Sequence, residues 1–161
     1  MVMKRSDVVL QAVGLGAVAG MRAAMAPMIT SHYLNTHPNP ALSRTSLRFI
    51  QLPLTAAITK MLSAAELTGD KLPSTANRIE PAQLLARVAS GAFVGATIFK
   101  ANKLSAIDGI LIGGASALVA SFASFYLRKA ADALPFANEP MTGAVEDAVA
   151  LGTGVAVIKS R

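Results

Sequence analysis

The sequence predicts an all-α integral membrane helical bundle, and three observations carry that expectation. Hydrophobic residues make up 53% of the 161 positions and charged residues only 15%, against a usual charged share of about 25%. The mean hydropathy is +0.49, too apolar for a soluble chain this small, which is mostly surface. The apolar residues also gather into long stretches, about 8–33, 49–68, 84–100, 106–128 and 141–158, each near the roughly 20 residues that a spanning helix needs.

The first segment follows Lys4-Arg5 and runs through Val8 to Ala19. With Ala24-Met25-Ala26 beyond it, the stretch has the outline of a signal peptide, but it reads as a first membrane helix with a positive flank. It carries Arg22 and Pro27. Residues 34–48 hold His37-Pro38-Asn39-Pro40 with Arg44 and Arg48, a polar loop because proline blocks helix continuation. The second segment carries Lys60 and ends in Glu66. The third begins with Arg87 and joins the fourth through Asn102-Lys103-Leu104-Ser105. The fourth has no charge from Gly109 to Leu127, and Tyr126, Arg128 and Lys129 anchor its end at an interface. The fifth is short and carries Glu146-Asp147.

Small residues sit at helix-packing spacing in Gly16/Gly20, Gly91/Gly95 and Gly109/Gly113. In lipid, glycines four apart make a flat groove that lets two backbones approach. A polar phrase occurs twice: Asp70-Lys71-Leu72-Pro73 with Asn77 and Glu80-Pro81, then Asp132-Ala133-Leu134-Pro135 with Asn138-Glu139-Pro140. Each copy ends one apolar segment and opens another. Pro73 and Pro135 stop a helix, and the later proline can open the next one. The expected organisation is one helical membrane domain over 1–161. Within it lies a two-helix parallel repeat, with halves at about 8–83 and 84–140, followed by a terminal helix at 141–158.

On this five-crossing topology the cations balance. Lys4, Arg5, Lys71, Arg78, Arg128 and Lys129 share one side; Arg44, Arg48, Lys100, Lys103, Lys159 and Arg161 share the other. The positive-inside rule then gives little direction. The expectation is a multi-pass protein of the inner (plasma) membrane with a cytoplasmic N-terminus. The balance also permits dual insertion and an antiparallel dimer. The partners expected are the lipid bilayer and further copies of the chain or a larger membrane complex. Despite a net charge of +6, no cationic run or aromatic platform points to nucleic acid.

Charge at membrane depth marks the candidate site. A central Arg or Lys costs about 2.5–3.5 kcal/mol on insertion scales, so Arg22 and Lys60 should face an anion, water or a solute. The anions available are Glu66, Asp70, Asp132, Glu146 and Asp147. Glu66 and Asp70 lie four apart on one helix face and repel, so Arg22 is the cation expected between them. Pro27 can break the first segment just beyond Arg22, as discontinuous helices are broken in transporters. The chain has no Cys, and His32 and His37 have no carboxylate at ligand spacing. No nucleophile-elbow, zincin, phosphate-loop or dinucleotide motif is present. No enzyme activity, cofactor or metal is therefore expected.

Gly20-Met21-Arg22-Ala23 with Pro27, the run Glu66-Leu67-Thr68-Gly69-Asp70-Lys71-Leu72-Pro73, and the Gly91–Gly95 helix resemble a family of small bacterial multi-pass membrane proteins known only as a domain of unknown function. The resemblance spans most of the chain. It implies a helical membrane fold with Arg22, Glu66, Asp70 and Lys71 as recurring polar positions, and it implies no activity. The functional expectation is a transporter-like or permeation protein for a small solute, an anion or a proton. The alternative is a non-catalytic assembly subunit that docks other membrane proteins through its small-residue faces.

Overall fold

The computed structural model describes residues 3–69, 80–132 and 139–160, and every regular element in them is helical. The long helices are α1 (Arg5–Met21), α2 (Met25–Thr36), α4 (Pro53–Gly69), α5 (Pro81–Ala101), α6 (Ala106–Asp132) and α7 (Glu139–Lys159). A four-residue helix, α3 (Pro40–Ser43), and a 3-10 helix at Ser46–Gln51 lie between α2 and α4. The two copies of the repeated phrase fall largely in 70–79 and 133–138, outside the described residues, and so do Asp70, Pro73 and Pro135.

The first apolar segment is two helices, not one. α1 ends at Met21, and Arg22 leaves helical geometry at φ −142°, ψ 111°. α2 then returns alongside α1. Ile29 and Val18 both approach Gly154, and Asn39, just past α2, donates to the Ala101 carbonyl at the far end of α5. Pro27 is the third residue of α2, where its missing N–H falls among amides that have no intrahelical partner.

This reversal changes the topology. α1 runs parallel to α6, since Arg5 meets Asp108 and Gly16 meets Gly113. α4 runs antiparallel to α2, with Ser31 and Thr59 hydroxyls at 2.7 Å and Glu66 level with Ala23 and Ala24. The six long helices therefore alternate in direction, and the start of α1 and the end of α7 lie at one end of the bundle. The 40–51 segment and the 102–105 turn lie at that same end. The first half holds three long helices where the second holds two.

Glycine sets the core. α5 and α6 cross with Gly91 against Gly113 and Gly95 against Gly109, backbone to backbone. α1 lies in the groove they form. A methyl group at Gly16 would come within 2.6 Å of the Gly113 carbonyl oxygen, and one at Gly20 would strike the Ala117 carbonyl. No side chain fits in these contacts, so six of the glycines read from the sequence hold three helices together.

The core is apolar, with Arg22, Arg87, Gln11, Thr30, Thr97 and Ser121 buried beside it, and Met61, Leu127, Val119, Leu85 and Ile107 are each more than two-thirds exposed. Large exposed apolar surface of this kind marks an interaction or membrane face. Among the described residues two helices, 81–101 and 106–130, are long and apolar enough to cross a membrane.

Candidate functional site: the recessed polar turn

The turn between α1 and α2 opens the backbone deep in the bundle. Arg87 lies six residues inside α5, and Asp147 eight residues inside α7. At 1.5 Å per residue the turn is thus recessed about 10 Å from the starts of α5 and α7. Four side chains satisfy the backbone groups it exposes. Arg87 donates from Nη1 to the Gly20 carbonyl at 3.0 Å, and Ser121 donates to the same oxygen at 3.1 Å. Ser90 donates to the Ala23 carbonyl at 2.5 Å. The Glu66 carboxylate accepts from the Ala23 amide at 2.8 Å and from the Ala24 amide at 2.7 Å.

The charges match the helix ends. Arg87 sits at the C-terminus of α1, where a cation is favoured; Glu66 sits at the N-terminus of α2, where an anion is favoured. Arg22 is buried and donates from Nε to Asp147 at 2.6 Å. One residue earlier on α7, Glu146 approaches Arg128 at 3.9 Å. A buried guanidinium is tolerable in such a place only because it is paired and hydrogen-bonded.

A cleft of about 530 Å³ reaches this turn between α2, α4 and α5. Ala23, Ala24, Pro27, Leu62 and Phe93 form its apolar wall, and Glu66 is the charged residue that lines it, beside Ser90 and Thr59.

Arg22 and Glu66 meet at one turn, where Arg22 pairs with Asp147 and Glu66 holds backbone amides. Lys60 is exposed on the outer face of α4, away from the cleft, because its helix presents only one side to α2. Asp70 lies outside the described residues, and Asp132 is placed as the last residue of α6. Arg87, Ser90 and Ser121 carry much of the site without having been singled out for it. For Arg87 a signal exists: Arg87, Gly91 and Gly95 recur every four residues, which puts the arginine on the packing face.

Fold and site together define a helical bundle with large exposed apolar side chains, a polar turn in its interior and, among the described residues, two helices long and apolar enough for a membrane. The chain belongs to the DUF4126 family, a domain of unknown function, whose model matches residues 9–160. No curated protein and no solved structure matches it.

Proposed function

We propose that this chain is a six-crossing inner-membrane protein that moves a small solute, with the proton as the simplest cargo, through the cleft beside the α1–α2 turn. One observation carries this reading: the cleft ends on a carboxylate, Glu66, whose two oxygens lock the turn through the Ala23 and Ala24 amides. Ionised, Glu66 can accept both amide hydrogens. Protonated, it becomes a donor at one oxygen and releases part of that lock. Proton uptake by Glu66 thereby weakens two of the five hydrogen bonds that hold the turn.

Arg22 is closed in its ion pair, which disfavours an anion as the cargo in this conformation. The basic end, with Lys4, Arg5, Arg44, Arg48, Lys100, Lys103 and Lys159, is cytoplasmic by the positive-inside rule. The assembly-subunit alternative is weakened, because the glycine faces that would dock a partner are filled by the chain's own helices.

Vesicles reconstituted with the protein and loaded with a pH-sensitive dye test the proposal. An imposed pH gradient should collapse faster than in empty vesicles, and Glu66→Gln should slow it at least tenfold. Wild-type vesicles no leakier than empty ones would refute it.

A further inference from the structure

A second cleft, of about 470 Å³, opens at the basic end between α3 and the α5–α6 turn. Its size falls in the range of small-molecule sites, about 300–1,000 Å³. Arg44, Lys100 and Lys103 converge on it, with Thr45 beside them, and no carboxylate lines it. The two described acidic residues at this end are engaged elsewhere: Asp108 faces Arg5 at 3.4 Å, and Asp7 accepts from Ser6.

The lysines are not needed to finish α5. Asn102 donates to the Ile98 and Phe99 carbonyls, Leu104 also donates to Phe99, the Lys103 amide donates to Lys100, and Asn39 donates to Ala101. The last carbonyls of the helix are thus satisfied without either ammonium group. Lys103 itself has φ 60°, a left-handed position at the helix end that glycine or asparagine fills with less strain. A long cation kept at a strained position beside two others points to a role for its side chain.

We infer that this cleft is a binding site for a phosphate-bearing anion, cradled by Arg44, Lys100 and Lys103 at the depth of the lipid headgroups. Arginine can bind a phosphate through two parallel hydrogen bonds, and the lysines add point charges. The chemistry is shared by an anionic phospholipid headgroup and a soluble phosphate. It does not depend on permeation.

Thermal unfolding of the purified protein in detergent separates the possibilities. Added dioleoylphosphatidylglycerol should raise the midpoint, and phosphatidylcholine should not. Arg44→Gln/Lys100→Gln/Lys103→Gln should weaken the apparent affinity about a hundredfold, at the usual contribution of each cation near a membrane surface. Arg48→Gln, an exposed cation of the same segment outside the cleft, should leave it unchanged. Lys103→Gly should raise the lipid-free midpoint, by relieving the strained backbone, and still reduce the lipid response. A saturable response to inorganic phosphate over chloride of equal ionic strength, lost in the triple variant, would assign the site to a soluble phosphate. A response to neither probe, or one that survives the triple variant, or one lost equally in Arg48→Gln, would overturn the inference.

Discussion

Arg22 and Lys60 look alike in the sequence, each a cation in the middle of an apolar stretch. The fold separates them. Arg22 is buried and held by Asp147 at 2.6 Å; Lys60 is exposed. Asp147 is about a quarter exposed, so Asp147→Ala should cost about 1–3 kcal/mol, the usual cost of removing one partner of a buried hydrogen bond. Lys60→Ala should stay within about 0.5 kcal/mol. Thermal or denaturant unfolding in detergent measures both. What hid this distinction is that insertion cost depends on which way a helix face points, and a uniformly apolar helix gives no such direction. The Asp147 partner is 125 residues from Arg22, a pairing no local pattern can disclose.

At the scale of elements, the spaced glycines were the most legible feature, because a four-residue period on a helix has one geometric meaning. Their tolerance should divide sharply. Gly95→Leu and Gly113→Leu drive a side chain into a facing backbone carbonyl, which cannot rotate away, so each should cost more than the 1–3 kcal/mol typical of overpacking. Gly152 has no atom near its missing Cβ; Gly152→Ala should stabilise α7 by about 0.5–1 kcal/mol through helix propensity. Unfolding midpoints of the three variants check this contrast. The break in the first segment was far less legible. Ala23 and Ala24 are strong helix formers, and no glycine marks the turn. Its backbone is kept open by Arg87, Ser121, Ser90 and Glu66, all distant in sequence. Pro27 and Arg22 hinted at a break; the reversal of direction is tertiary in origin.

For the whole molecule, that reversal decides the charge distribution. With one crossing in the first segment the cations balance between faces. With two, the N-terminus joins the 40–51 segment, the 102–105 turn and the end of α7. Lys4, Arg5, Arg44, Arg48, Lys100, Lys103 and Lys159 then share that end, against Arg128 and Lys129 among the described residues at the opposite end, where Glu66, Glu80, Glu146 and Asp147 also lie. Such asymmetry favours one fixed orientation over dual insertion. The chain contains no cysteine, so single cysteines can be introduced without background. The most direct test of the α1–α2 hairpin is labelling of Ser6→Cys, Ser46→Cys and Ser160→Cys by a membrane-impermeant thiol reagent, in intact cells and in inverted vesicles. All three should be protected in cells and labelled in inverted vesicles. Labelling of Ser6 from the face opposite to Ser46 would contradict the hairpin and restore a single crossing.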